Sequence, residues 1–233
     1  MPWHPRARAL FERHQYPQRT PEWYAVRRGL LTASDVAAVL GVKPYASYRG
    51  CPRADVLDKK LANRPLNNQF VAHGNKYENE ARDLLAVAMG ESVHECGLVL
   101  HPTLPWLAAS PDGVTPTGKM VEIKCPLKRE IIPGHVPEHY YPQIQVQMEV
   151  CDLDVTLFVQ YKPAVLTGGM PQLDIVAIER DRQWFADACD LLHAFWSEYM
   201  AAARTYVPPP PPACLIHDAL YAAAEAACTA SSA

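Results

Sequence analysis

The chain has 233 residues, 49% of them apolar and 20% charged, with a formal net charge of −3. That composition supports one domain with a buried core and excludes a polybasic nucleic-acid binder or a wholly disordered chain. No apolar run approaches the roughly 20 residues of a membrane helix, and the charged start MPWHPRARALFERH has no secretory h-region, so the expectation is an intracellular, cytoplasmic protein that is not secreted.

Residues 1–20 read as basic and irregular, with prolines at 2, 5 and 17. Thr20-Pro21-Glu22 predicts a helix start: a cap, a proline at the first helical position, then an acid. Its helix, through Trp23, Val26 and Arg27, should stop near Gly29. Thr32-Ala33-Ser34-Asp35 predicts a second start with Ser34 able to cap, and residues 42–53 a loop. Helical periods return over 54–61 and 71–89, where Tyr77, Ala81, Leu84, Leu85 and Ala88 share a face. The period then shortens: 93–100, 106–110 and 119–125 read as strands separated by Pro- or Gly-bearing turns. A helix over 140–150, strands over 155–161 and 173–179, and a long helix over 182–204 complete a domain of residues 1–204. Five prolines at 208–212 open a Pro/Ala-rich tail, 205–233. The order predicts an α/β fold with a central mixed sheet flanked by helices.

The chemistry concentrates in Ser110-Pro111-Asp112-Gly113 and, after a predicted hairpin turn at 115–118, Glu122-Ile123-Lys124. Strand alternation sends Val121, Ile123 and Cys125 one way and Glu122 and Lys124 the other. The hairpin can set Asp112 beside Glu122. Two carboxylates, a backbone carbonyl from Ile123 and an ammonium make a hard-cation site of the kind magnesium takes. This D-x9-E-x-K spacing, with a literal Pro-Asp, is that of the PD-(D/E)XK nucleases. A surface hairpin bearing an ordinary ion pair has the same pattern, so the rest of the chain decides.

Arg27-Arg28-Gly29-Leu30-Leu31-Thr32-Ala33-Ser34, Gly74-Asn75-Lys76-Tyr77-Glu78, SPDG, VEIKCP and Tyr141-Pro142-Gln143-Ile144-Gln145 follow in that order. The series resembles the YqaJ-type viral recombinase family, the group of the phage lambda exonuclease, across about residues 20–165. The resemblance implies a restriction-endonuclease-like core. It implies Asp112, Glu122, the Ile123 carbonyl and Glu78 as metal ligands, Lys124 as the catalytic lysine, and Gln143 as a supporting active-site residue. It implies Arg27, Ser34 and Ser110 as the pocket for a DNA 5′-phosphate. The implied activity is a magnesium-dependent 5′→3′ exonuclease, with manganese as substitute, that degrades one strand of duplex DNA and leaves 3′ overhangs for recombination or viral DNA processing. A trimeric ring, a single-strand annealing partner and, for a viral source, the host-cell cytoplasm are further implications. An endonuclease on the same core is the alternative.

Simpler explanations stand beside several of these residues. Ser34 can be a plain helix cap, Glu78 an i,i+4 partner of Arg82, and Gln143 with Gln147 a solvated helix face. Lys59, Lys60, Arg64, Lys128 and Arg129 can contact DNA phosphates or sit on a solvated face. Trp3, Tyr45, Tyr48 and Trp106 can stack on bases, although Trp106 fits a core position. The seven cysteines are odd in number, with no C-x-x-C pair, and the histidines lack tight spacing, so neither a zinc site nor an iron–sulfur cluster is expected.

Overall fold

A computed structural model describes residues 2–45, 48–63 and 68–208. Arg64 and the tail from 209 onward lie outside the described residues.

Among the described residues, eight α-helices surround two small sheets. The helices are α1 (Pro5–Glu12), α2 (Pro21–Arg28), α3 (Ala33–Val39), α4 (Pro52–Leu61), α5 (Gln69–Met89), α6 (Tyr141–Cys151), α7 (Ala164–Thr167) and α8 (Arg182–Thr205). The smaller sheet pairs β1 (Leu31–Thr32) parallel to β3 (Leu107–Ala109), and β2 (Val99–Leu100) antiparallel to β3. The larger sheet runs β4 (Gly113–Val114), β5 (Lys119–Lys124), β6 (Val155–Lys162), β7 (Gln172–Glu179). Its β5–β6 pair is parallel and the flanking pairs antiparallel, so the sheet is mixed, as the element order implies.

Both faces of the larger sheet are buried. Val121, Ile123, Leu157, Val159 and Tyr161 pack against Ala81 and Leu85 of α5. On the other face Met120 and Phe158 join Ile144 and Met148 of α6 and Leu192 and Phe195 of α8 in the main core. Each such side chain contributes roughly 1.5–3 kcal/mol by leaving water. No residue of α6 is exposed, so this helix is wrapped on all sides. Its Gln145 is satisfied locally, donating to the Glu179 carbonyl and accepting from the Asp181 N–H.

Local signals account for most boundaries. Thr20 caps α2 by accepting from the Trp23 N–H, and Asn68 caps α5 by accepting from Phe70 and Val71. Gly90, at φ 62°, closes α5 in the left-handed conformation that favours glycine.

Four expectations need correction. Residues 5–12 form α1 rather than an irregular arm, with Ala7 and Leu10 in the core. The strand expected over 93–100 is confined to Val99–Leu100. His94 bridges to Val114 and Leu98 to Tyr16, so the preceding residues touch two different partners and build no ladder. Thr32, not Ser34, occupies the cap position of α3, and Ser34 lies inside the first turn. Gln143 and Gln147 belong to the enclosed helix α6, not to a solvated stripe. Trp106, by contrast, is the core residue its sequence position suggests.

Candidate active site

The β4–β5 hairpin brings the carboxylate of Asp112 to the Glu122-Ile123-Lys124 strand. Asp112 Oδ2 accepts from the Ile123 N–H at 2.7 Å, and the Asp112 N–H donates to the Val121 carbonyl. Glu122 and Lys124 lie on the α6-facing side, as alternation requires, and Lys124 Nζ donates to Glu122 Oε1 at 2.5 Å. The surrounding helix makes this more than a surface pair: Glu122 is only 2% exposed. Two glutamines from consecutive turns of α6 hold its carboxylate. Gln143 Nε2 donates to Oε1 and Gln147 Nε2 to Oε2, each at 2.6 Å.

The electrostatics follow from crowding charges where water is scarce. Burial, then the neighbouring carboxylates of Glu122 and Glu78, push Asp112 well above the usual carboxylate range; Lys124 and the Ile123 N–H offset this only partly. Burial pulls against the Lys124 ammonium, but Glu122, Tyr140 and Asp112 outweigh it and raise Lys124 above its ordinary value. The ammonium also lies 5.1 Å from the centre of the Tyr140 ring. Burial and the same acids, Asp112 and Glu78, push the Cys125 thiol up to about 12, so it stays protonated.

Glu78, projecting from α5, reaches Asp112 electrostatically but is engaged by two arginines. Arg82 donates to it from the next helical turn at 2.7 Å, and Arg19 donates to its other oxygen. Arg19 is a non-glycine residue at φ 64°, an uncommon conformation that delivers its side chain across 59 residues of sequence to this carboxylate. Among the described residues no group of three or more His, Cys, Asp or Glu side chains is assembled as a metal-holding set. The donors that do converge, Asp112 and Glu122, are hard oxygens, and magnesium needs only one or two carboxylates when water and substrate phosphate fill the remaining positions. Buried like charges crowding Asp112 and an unpartnered buried acceptor, Gln147 Oε1, fit the binding of such a cation and its water shell.

The three phosphate-pocket candidates meet around Trp23 of α2. Arg27 stacks over the Trp23 ring with its guanidinium carbon 4.5 Å from the centroid, and donates to Ser34 Oγ at 2.9 Å. The Trp23 indole N–H donates to Ser110 Oγ at 3.3 Å. Beneath this group lies Asp35, which accepts from Thr32 Oγ1 and Lys59 Nζ, both at 3.0 Å. Lys59 and Lys60 thus turn inward rather than lining a solvated face. Lys128 lies over the ring of Phe70, and Trp3 packs on Phe11 and His94.

Residues 22–154 match the model of the YqaJ-like viral recombinase domain, more than half of the chain. The chain belongs to the YqaJ-like viral recombinase family. It is 33% identical over 166 residues to uncharacterized protein R354 of Acanthamoeba polyphaga mimivirus, a match covering 64% of this chain and 30% of that protein. It is 30% identical over 161 residues to protein D345L of African swine fever virus, covering 55% of this chain and 44% of the relative. The chain therefore spans less than half the length of these relatives. Among solved structures, the alkaline exonuclease LHK-Exo of Laribacter hongkongensis superposes with a TM-score of 0.65 at 28% identity, covering 79% of this chain and 95% of that one. The same exonuclease has been solved in complex with dAMP. A phage-related exonuclease from Haemophilus somnus shares the fold, with a TM-score of 0.58 at 15% identity, covering 76% of this chain and 96% of that one. The YqaJ-like chain therefore has the restriction-endonuclease-like α/β fold of the lambda-exonuclease group. No helix among its described residues is long and apolar enough to cross a membrane.

Arg19, Trp23, Thr32, Asp35 and Gln147 contact the candidate residues without having been assigned a site role from the sequence. Usable signals existed for Gln147, one helical turn from Gln143, and for Thr32 and Asp35, which flank Ser34.

Proposed function

We propose that this YqaJ-like chain is a divalent-metal-dependent nuclease acting on duplex DNA ends, and specifically a 5′→3′ exonuclease that leaves 3′ single-stranded overhangs for recombination or viral DNA processing. One observation carries the reading: the Asp112–Glu122–Lys124 cluster lies one short chain segment away from the Arg27–Ser34–Ser110 group. The alkaline exonuclease it resembles, itself solved with the mononucleotide dAMP, supports it.

Asp112, Glu122 and the Ile123 carbonyl are the groups that would hold magnesium, or manganese in its place, with Glu78 joining if it leaves its arginines. A bound cation supplies charge neutralisation at the phosphodiester and a water of lowered pKa. Gln143 and Gln147 fix both oxygens of Glu122, so the carboxylate would present a single orientation to a cation. The Lys124 ammonium, held protonated by its neighbours, faces charge developing on the phosphate. Arg27 and the hydroxyls of Ser34 and Ser110 grip the 5′-phosphate that each cleavage regenerates. A ring of three subunits and an annealing partner belong to the same proposal, by family likeness.

The test is digestion of a linear duplex, 5′-phosphorylated or 5′-hydroxylated, with magnesium or with chelator, followed by mononucleotide release. The proposal expects metal-dependent release that is faster from phosphorylated ends, with covalently closed circles untouched. Cleavage of closed circles would favour the endonuclease alternative, and no release from either linear substrate would overturn the reading.

A further inference from the structure

The hydroxyl and guanidinium of the end-binding group rest on a buried charge cluster. Asp35, 5% exposed, bonds Lys59 Nζ at 3.0 Å and Thr32 Oγ1 at 3.0 Å, and pairs with Lys60 Nζ at 3.2 Å. Lys60 also donates to the Leu30 carbonyl at 2.6 Å. Thr32 Oγ1 lies 3.2 Å from Ser34 Oγ, the atom to which Arg27 donates. An unbroken polar chain thus runs from α4, through the start of α3, to Arg27 on α2.

The charges in this chain do not cancel. Arg27, Lys59 and Lys60 bring three positive charges and Asp35 one negative. Glu122 also acts on Arg27, but it is already paired with Lys124. Two positive charges are left over: the Lys60 side chain is only 6% exposed, while Lys59 at 30% and the half-buried Arg27 keep partial access to water. Burial accordingly lowers both Arg27 and Lys60, while Asp35, against the effect of its own burial, is held well below the usual carboxylate range by Lys60, Lys59 and Arg27. A surplus of buried positive charge costs stability unless an anion compensates it. A terminal phosphomonoester carries about −1.5 to −2 near neutral pH, whereas an internal phosphodiester carries a single charge and a hydroxyl end none.

We propose that Lys59 and Lys60, anchored on Asp35, complete the end-binding pocket as its charge-selecting half, making it specific for a phosphomonoester dianion over a hydroxyl end or an internal phosphodiester. The inference rests on the assignment of Arg27 and Ser34 to the 5′-phosphate. The two lysines act as specificity and positioning residues. Asp35 fixes them close enough to add their field to that of Arg27, yet keeps them from lying free on the surface as ordinary DNA-backbone contacts.

The test is equilibrium binding in chelator, so that no cleavage occurs. A fluorescent duplex closed by a hairpin at one end carries either a 5′-phosphate or a 5′-hydroxyl at the other, and anisotropy gives the affinity ratio of the two. The unaltered protein should prefer the phosphorylated end by about tenfold or more, on the scale of a charge-assisted hydrogen bond. Lys59→Met and Lys60→Met should each reduce that ratio several-fold, and Lys59→Arg, which keeps the charge, should preserve it. Thermal melting identifies which variants are folded, and Lys59→Met decides alone if Lys60→Met is not. A full ratio in folded Lys59→Met, or an equal loss of affinity for both ends, overturns the role of the lysines and leaves the pocket standing. The absence of any preference in the unaltered protein instead overturns the 5′-phosphate assignment itself, and the lysine proposal with it.

Discussion

Gln147 donates its side-chain amide to Glu122 Oε2 from one turn beyond Gln143, which holds Oε1, so that a single helix grips both oxygens of the same buried carboxylate. Leucine at 147 leaves a charged acceptor without its donor, at a cost of about 1–3 kcal/mol. The expected outcome for Gln147→Leu is a lower melting temperature and a higher magnesium concentration for half-maximal digestion. Glutamate there should do more harm than leucine, because it sets a second carboxylate against the first. Melting curves and a magnesium titration check both, and unchanged values in the two assays would count against the clamp.

Among the described residues, Lys124 supplies the one ammonium in contact with Glu122. Lys124→Met should reduce mononucleotide release by roughly 10²–10³, the scale for removing a preorganised donor to a developing charge. Binding of duplex ends in chelator should survive, since the end-binding group is built from other residues. Single-turnover digestion beside anisotropy separates the two effects; equal losses in both would point to a folding defect.

Asp112 is crowded by Glu122 and Glu78 in a dry setting. Asparagine keeps an acceptor for the Ile123 N–H while removing one of three repelling charges. Asp112→Asn should therefore melt higher than the unaltered protein in chelator, by about 2–4 °C per kcal/mol gained, and should digest nothing. Magnesium should raise the melting temperature of the unaltered protein and not of the variant, because ligands stabilise only the state that binds them.

Asp35 gives the opposite sign. Its folded-state pKa lies below the unfolded value, since Lys60, Lys59 and Arg27 outweigh its burial. Its stabilisation is thus complete above the ordinary aspartate pKa of about 3.9 and fades as pH falls below it. Asp35→Asn should cost about 3–5 kcal/mol at pH 7, the penalty for stranding buried partners of opposite charge. The gap in melting temperature between the two proteins should narrow as pH falls below about 4. A gap that stays constant from pH 7 to 3 would show that folding does not lower the proton affinity of this carboxylate.

What could be read from the sequence was local. Thr20-Pro21-Glu22 announces α2 through its own caps, and Asp112, Glu122 and Lys124 meet because a two-strand hairpin and the alternation of one strand suffice to join them. Helix α1 was hidden by the charges of PRARALFE, although Pro5 at its first position and the spacing of Ala7 and Leu10 carry the signal. Residues 93–98 alternate like a strand, but Gly97 packs so closely on the Tyr16 backbone that the segment is drawn away from a continuous ladder. The remaining site residues needed tertiary knowledge. Arg19 meets Glu78 across 59 positions and Lys59 meets Asp35 across 24, and no periodicity encodes such pairings. Gln143 and Gln147 looked equally fit for solvent until α8 and the sheet enclosed their helix.

Ser110 and Asp112 sit on the short link between β3 of the smaller sheet and β4 of the larger one. Two residues of extended chain span at most about 7 Å, and with both ends woven into sheets that interval cannot stretch. On the proposed reading the link is a gauge: it sets how far past the gripped terminus the strand is cut, and so fixes the product at a single nucleotide. Lengthening it by one glycine would change the size of the fragment released rather than only its rate.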